Sequence, residues 1–201
     1  KGNPLPAHMP RQKHSMAVIY ALNPYGADHC SSLADFIYFN ELPEEARGLM
    51  RMMDLNTFGE YDGITTTKTR MILYSQKYFS FIDSIGICLF STFAMNFDRI
   101  SKYIKATTGW DTSSFEFMKI GERKINMMKY FNYRQGLTIK DDYIPERLFE
   151  EIPNGPTQGQ KIDRAEFSQA ILDYYDMVGW DIKQSKPTDG KLKDLDLEWL
   201  L

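Results

Sequence analysis

The residues best suited to chemistry in this sequence are an aspartate, a glycine and a cysteine with the spacing Asp83-x-x-Gly86-x-Cys88. A cysteine thiolate beside a glycine can approach a metal cluster closely, because glycine has no side chain and accepts a positive φ. The Asp83 carboxylate can accept hydrogen bonds from the N–H groups of an organic cofactor. The spacing therefore suits a segment that joins a cluster to a cofactor. Helix capping by Asp83 and packing of Cys88 in a core explain the same residues, and for so short a pattern taken alone this is the better explanation.

A histidine and a second cysteine, His29 and Cys30, follow a Pro-and-Gly turn further toward the N-terminus. An imidazole exchanges a proton near neutral pH, which suits acid–base catalysis, but a histidine hydrogen-bonded at a helix end is the alternative. The sequence has two cysteines, too few for a disulfide framework or a four-thiolate metal site. We interpret Cys30 as an inert packed thiol and expect no metal site at His8 or His14, which lie in an irregular lead-in.

Composition excludes several classes of protein. With 43% hydrophobic and 25% charged residues the chain suits a globular fold, and a net charge of −3 gives no basic field for nucleic acid. The longest weakly charged stretch, 78–96, contains Asp83 and falls short of the about 20 apolar residues of a membrane span. Without a recognisable leader, we expect a cytoplasmic protein. The start at Lys1 suggests a piece cut from a longer chain.

The elements that must position these residues are helices. Apolar residues recur at helical spacing, and a sustained period of two is absent from the sequence, so the predicted class is all-α. Ser113 and Glu116 form a capping-box pattern, and Asp163 and Glu166 repeat it. Helices are predicted over 16–22, 43–53, 68–81, 114–131 and 163–178, and a long irregular connection over 141–161. The segment from Asp83 to Cys88 is predicted as a loop at the end of the third helix.

Several segments resemble one known family. The first is the Asp83 to Cys88 pattern, which is similar to the Asp-x-x-Gly-x-Cys motif of the aldehyde:ferredoxin oxidoreductases. Further segments resemble that family in the same order along the chain: His8-Met9-Pro10-Arg11, Tyr20 to His29, Thr108-Gly109-Trp110-Asp111, Gly121-Glu122-Arg123, Phe131-Asn132-Tyr133-Arg134-Gln135-Gly136, Pro145-Glu146-Arg147 and Tyr174 to Asp181. Departures include Tyr25 and Val178, where the family carries Arg. Their shared order makes coincidence improbable.

The resemblance implies a fold, cofactors and roles for particular residues. It implies an irregular multi-helical C-terminal portion of a tungstopterin enzyme, with tungsten or molybdenum on the pterin and a [4Fe–4S] cluster. Cys88 would be a cluster ligand, while Asp83, Gly86 and Ile87 would contact the pterin and His29 would be catalytic. Residues 1–140 would form a helical region facing the cofactors, and 141–201 a linker and a C-terminal helical segment.

The resemblance also implies what the rest of such an enzyme contributes. The family's three other cluster cysteines, its second pterin motif and its β-rich base domain have no counterpart in this sequence. The partners implied are this N-terminal part, ferredoxin and an aldehyde, with neither nucleic acid nor membrane. The fragment alone is expected to bind none of the cofactors and to be inactive.

Two other functions remain open from the sequence. One is a related tungsten enzyme of the benzoyl-CoA reductase type. The other is a cofactor-free helical binding or scaffold domain, in which Asp83 to Cys88 is only a helix junction. A reading frame that extends upstream through Cys-x-x-Cys-x-x-x-Cys would argue against the scaffold.

Overall fold

A computed structural model describes residues 1–33, 35, 44–53, 55 and 62–201. Its helices are α1 (Ser15–Leu22), α2 (Glu44–Met52), α3 (Thr66–Ser84), α4 (Phe97–Thr108), α5 (Ser114–Arg134), α6 (Arg164–Val178) and α7 (Asp189–Asp194). Short 3-10 helices cover Leu89–Ala94, Ile139–Asp141, Glu146–Phe149 and Glu198–Leu200. Within the described ranges the strands are limited to β1 (Trp180–Asp181) and β2 (Lys186–Pro187), which pair antiparallel. The all-α prediction is confirmed.

The predicted helices agree closely with the observed ones. α1, α2, α5 and α6 match the predicted ranges to within a few residues, although Pro43, placed in the first turn of the second helix, lies outside the described residues. The Ser113 hydroxyl caps α5 and the Glu116 carboxylate reaches back to the Ser113 N–H at 2.8 Å, so the capping box is confirmed. Asp163 likewise caps α6, but the Glu166 carboxylate accepts the Ile64 N–H instead.

The close contact between α3 and α5 is the centre of the fold. At Gly121 of α5 a Cβ atom would lie 1.7 Å from the Lys77 carbonyl oxygen of α3, so only glycine permits this approach. The rings of Phe81 and Phe117 stack across the contact with centroids 4.2 Å apart. A buried cluster then continues from these helices onto α1 and α6.

The end of α3 differs from the prediction. The helix continues through Ser84, so Asp83 lies in its last turn and not in the loop that follows. The extra turn keeps Ile82 buried in the core, and Gly86, at a φ of +70°, then stops the helix. The Ile87 N–H donates to the Ile82 carbonyl at 3.3 Å, which completes the hydrogen bonding of a glycine-terminated helix.

One hydrophobic core includes side chains from both sides of residue 140. Ile19 and Phe81 belong to the same buried cluster as Leu148, Tyr174 and Trp180. The division of the chain into a cofactor-facing region and a C-terminal segment stays a prediction. None of the helices in the described ranges combines the length and the apolar character that crossing a bilayer requires.

Candidate functional site

The chain after α1 is held in a tight turn by its own side chains. Every residue of α1 is buried, which fixes the helix in the core. The Asn23 amide donates to the Gly26 carbonyl at 2.7 Å, and Gly26 adopts a φ of +104°. Beyond the turn, the Ser32 hydroxyl lies 2.6 Å from that of Ser75 on α3. Asp28, His29 and Cys30 are therefore presented between two anchored points.

Asp28 organises this short segment. One carboxylate oxygen, Oδ1, accepts the Cys30 N–H at 2.9 Å, and the other, Oδ2, accepts the Tyr25 hydroxyl at 3.0 Å. One potential ligand atom from each of Asp28, His29 and Cys30 lies within 4.8 Å of the other two. The segment thus presents a carboxylate, an imidazole and a thiol together, all half-buried.

His29 has an incomplete environment. Its Nδ1 atom is buried and has no hydrogen-bond partner among the described residues. The His8 ring packs edge-on against it, with centroids 4.8 Å apart, and the Lys13 ammonium lies 3.3 Å from His8 Nδ1. A buried nitrogen without a partner is costly in a finished core, so its presence indicates a group that expects a proton acceptor, a proton donor or a metal.

The segment from Asp83 to Cys88 presents its polar groups to solvent. The Lys124 ammonium donates to the Asp83 carboxylate at 2.9 Å, and both side chains are partly exposed. Among the described residues, no atom lies within 4 Å of the place where a Cβ on Gly86 would project. Cys88 is an exposed free thiol, while the intervening Ile87 side chain packs against the core. The Ile87 side chain is partly buried there and only partly exposed.

The two segments lie close enough for their charges to interact. Burial raises the pKa of the Cys30 thiol, and Asp28, Asp83 and Cys88 add to that rise. Burial likewise raises the pKa of Tyr25, with Asp28 and Asp83 contributing. We call residues 28–30 together with residues 83–88 the loop edge.

The structure brings together most of the residues singled out from the sequence. His29, Asp83, Gly86 and Cys88 all belong to the loop edge, and the Ile87 side chain between them is partly buried against the core. Sequence reasoning missed two neighbours of these residues. His8 was dismissed but packs on His29, and Tyr25, which stands where relatives carry Arg, binds Asp28.

Cys30, interpreted as an inert packed thiol, is less fully packed than that interpretation implies. It is half-buried beside the Asp28 carboxylate, and its backbone N–H is bonded to that group. Its position directly after a histidine was the signal in the sequence.

Comparison with known proteins places the chain in a family. Residues 1–197 match the family described as aldehyde ferredoxin oxidoreductase, domains 2 and 3. The chain therefore belongs to the aldehyde ferredoxin oxidoreductase family, and the resemblance inferred from its motifs is confirmed.

Individual relatives agree with this assignment. The tungsten-containing aldehyde ferredoxin oxidoreductase of Pyrococcus abyssi is 32% identical over 200 residues, which cover 98% of this chain and 30% of that protein. The Thermococcus kodakarensis protein of the same name is 32% identical over 178 residues. A Pyrococcus furiosus aliphatic sulfonate oxidoreductase, WOR-like subunit, is 28% identical over 122 residues, 58% of this chain and 19% of that one. The chain spans about 30% of the length of the first relative.

A solved structure supports the fold. The active-site complex BamBC of benzoyl coenzyme A reductase, in complex with 1,5-dienoyl-CoA, superimposes with a TM-score of 0.60 over 98% of this chain and 31% of that one. At 15% sequence identity this likeness concerns the fold alone.

Proposed function

We propose that this chain is the C-terminal part of a tungsten-pterin, [4Fe–4S] oxidoreductase that oxidises aldehydes to carboxylic acids and passes electrons to ferredoxin. The observation that carries the proposal is the loop edge, which presents an exposed free thiol, a half-exposed carboxylate and an imidazole with a buried nitrogen that has no partner among the described residues. Its partners would be the N-terminal part of the same enzyme, ferredoxin and the aldehyde.

The residues at the loop edge fit the groups that the family implies. Cys88 suits a cluster ligand because its thiol is exposed and free, and open space beside Gly86 admits a bulky group. Asp83 has carboxylate lone pairs beyond the one that Lys124 uses, and these can accept N–H bonds from a pterin. Asp83 lies in the last turn of α3, where the negative end of the helix dipole disfavours a carboxylate. A role in binding a ligand would explain why an acidic side chain stands there.

When bound, the tungsten-pterin and the cluster would supply the redox chemistry, in which an aldehyde and water yield a carboxylic acid, two protons and two electrons. The residues of this chain would hold these groups and orient the substrate. His29 would hold or release a proton at its imidazole near the substrate oxygen, a task for which imidazole is suited near neutral pH. The buried environment of its Nδ1 atom would favour a bound partner over bulk water.

The test uses the full-length protein produced with tungsten and assayed with a dye acceptor. Turnover of a panel of aldehydes supports the proposal, whereas reduction of aromatic thioesters without aldehyde turnover would replace it with the benzoyl-CoA reductase alternative. If the protein contains tungsten and iron but shows neither activity, both proposed functions are contradicted.

Two variants assign the roles. Cys88→Ser should lose the electron paramagnetic resonance signal of the reduced cluster, because a serine is a poor replacement for its thiolate ligand. His29→Asn should keep tungsten and iron but lose about 100-fold or more in turnover, the usual contribution of a general acid or base. His14→Asn is the matched control, because His14 is not part of the loop edge. Its Nδ1 atom accepts the Gly63 N–H at a distance of 2.8 Å. Equal losses in both histidine variants would argue against catalysis by His29.

The isolated chain should be colourless and inactive toward aldehydes. One thiolate cannot hold a cluster whose four irons each require a protein ligand. Elemental analysis of the purified chain checks this, and stoichiometric iron, acid-labile sulfide or tungsten would contradict it.

A further inference from the structure

We infer that Asp28, His29 and Cys30 bind one divalent transition-metal ion, with zinc the best match, and that this ion inhibits the enzyme by occupying the His29 imidazole. Binding of the ion does not depend on the proposed function. Only its inhibitory effect rests on that function.

The donor set is the first argument. Ligand atoms from the three residues lie within 4.8 Å of one another. A carboxylate oxygen, an imidazole nitrogen and a thiol sulfur are the ligands that zinc accepts, and three protein ligands with water in a fourth position is a common zinc geometry. Hard ions such as magnesium and calcium prefer sites made only of oxygen ligands. The set therefore selects zinc and its neighbours among the transition metals.

The surroundings of the three ligands are the second argument. Metal-binding carboxylates are usually held by further hydrogen bonds, and here the Tyr25 hydroxyl and the Cys30 N–H both bind Asp28. His29 Nδ1 is buried and lacks a hydrogen-bond partner among the described residues. We take this nitrogen as the imidazole ligand, so that the ion would satisfy a group left without a partner among the described residues.

Local charge is the third argument. The Asp28 carboxylate lies beside Cys30 and accepts its N–H at 2.9 Å. Lys124 is bonded to Asp83, and the Lys13 ammonium lies 3.3 Å from His8 Nδ1. A dication would offset the negative charge of the Asp28 carboxylate at this site.

The consequence for catalysis follows from shared use of one side chain. An imidazole nitrogen that binds zinc cannot also exchange a proton with a substrate. Metal binding would therefore prevent the acid–base role proposed for His29. Removal of the Cys30 thiol should weaken metal binding while the imidazole is kept.

The binding experiment titrates Co²⁺ into the 201-residue chain under anaerobic conditions, with helix content followed by circular dichroism. One Co²⁺ per chain should bind, with the visible bands of four-coordinate cobalt and a near-ultraviolet thiolate-to-cobalt band. His29→Ala, Cys30→Ser and Asp28→Asn should each weaken binding by about tenfold or more. His14→Ala and Cys88→Ser should stay within about threefold of wild type, because neither side chain is a ligand. A thiolate band that persists in Cys30→Ser, or that disappears in Cys88→Ser, would overturn the three-residue site.

The second experiment measures zinc inhibition of the full-length enzyme. Micromolar zinc should inhibit wild type reversibly, with recovery on addition of a chelator. Measured against its own activity without zinc, Cys30→Ser should require about tenfold more zinc than wild type for the same fractional inhibition. Equal sensitivity of the two proteins would overturn the inhibitory role. If the enzyme oxidises no aldehyde but Co²⁺ still binds as described, the proposed function fails while the metal site stands.

Discussion

Two polar regions of this molecule are built in opposite ways. Around Asp142 a buried network is complete: Oδ2 accepts the Lys129 ammonium at 2.7 Å and the Tyr175 hydroxyl at 2.6 Å, while Oδ1 pairs with the Lys1 ammonium at 2.7 Å. The Tyr175 hydroxyl also lies 2.8 Å from that of Ser185. At the loop edge the polar groups are instead exposed, half-exposed or, in His29, buried without a partner among the described residues.

The difference distinguishes polar groups that stabilise the fold from polar groups that are available to bind a ligand. The Asp142 network ties together the lead-in, α5, the turn after it and α6, so its charges are offset within the chain. Buried groups satisfied in this way contribute to a unique fold. Groups at the loop edge are positioned by the fold but not completed by it, which is what a site for an external ligand requires.

The largest expected effect comes from breaking the closed network. Asp142→Asn should lower the free energy of unfolding by about 3–5 kcal/mol, because it leaves two buried ammonium groups without their carboxylate. Denaturant titration measures this. Glu151→Gln is the control, since Glu151 pairs with Lys161 on the exposed surface and should change stability by less than about 1 kcal/mol. Similar small losses in both variants would contradict the assigned importance of the network.

The next effect concerns the helix contact that supports both regions. Gly121→Ala should destabilise the chain by about 1–3 kcal/mol or more, because the added methyl group would collide with the Lys77 carbonyl. Gly190→Ala is the matched control inside α7, where no atom lies within 4 Å of the new methyl group, and it should stabilise by about 0.4–1 kcal/mol. Thermal and denaturant unfolding of both variants should therefore shift in opposite directions; a shift in the same direction would argue against this close approach.

The two thiols of the loop edge should differ in reactivity. Cys88 is exposed, whereas Cys30 is half-buried and its pKa is raised by burial and by Asp28, so less of its reactive thiolate forms. Iodoacetamide at pH 8 should modify Cys88 faster by on the order of tenfold, as followed by mass spectrometry of peptides. Equal rates in denaturant serve as the control. Faster labelling of Cys30 than of Cys88 in the folded chain would contradict the environments described for the two thiols.

The smallest expected effect is at Asp83. Asp83→Asn should change the free energy of unfolding of the chain by no more than about 0.5 kcal/mol, because loss of the exposed pair with Lys124 is offset by relief at the negative end of α3. Lys124→Ala, which leaves the carboxylate unopposed, should be the more destabilising of the two. A loss above about 1.5 kcal/mol in Asp83→Asn would assign the residue to structure and remove the contrast with Asp142.

Local patterns predicted much of the fold. Ser113 with Glu116, and Asp163 before α6, marked helix starts because a cap involves residues only three positions apart. The pattern missed the observed role of Glu166, whose carboxylate does not complete a capping box but accepts an N–H from Ile64, 102 residues away. The end of α3 was placed too early because the burial of Ile82, which favours another turn, depends on its packing against the rest of the core.

The candidate site was predicted unevenly for a similar reason. Asp83, Gly86 and Cys88 were recognised because a family motif spans six consecutive residues. Cys30, His8 and Tyr25 were not, since their relevance arises from contacts with Asp28 and His29 that form only in the folded chain.

The sequence by itself determined the helical class, most helix boundaries and the family, because these depend on local periodicity, capping and ordered motifs. Only the tertiary structure decided that the loop after α1 comes close enough to the end of α3 for Asp83 to act on Cys30, and that Lys129 and Asp142 close a network while His29 Nδ1 stays unpartnered among the described residues. The physical reason is that burial and pairing depend on distances across the core. Residues far apart in the chain carry no local pattern that encodes those distances. The motif from Asp83 to Cys88 can therefore be recognised in the sequence. The incomplete contacts of the loop edge become visible only in the folded chain.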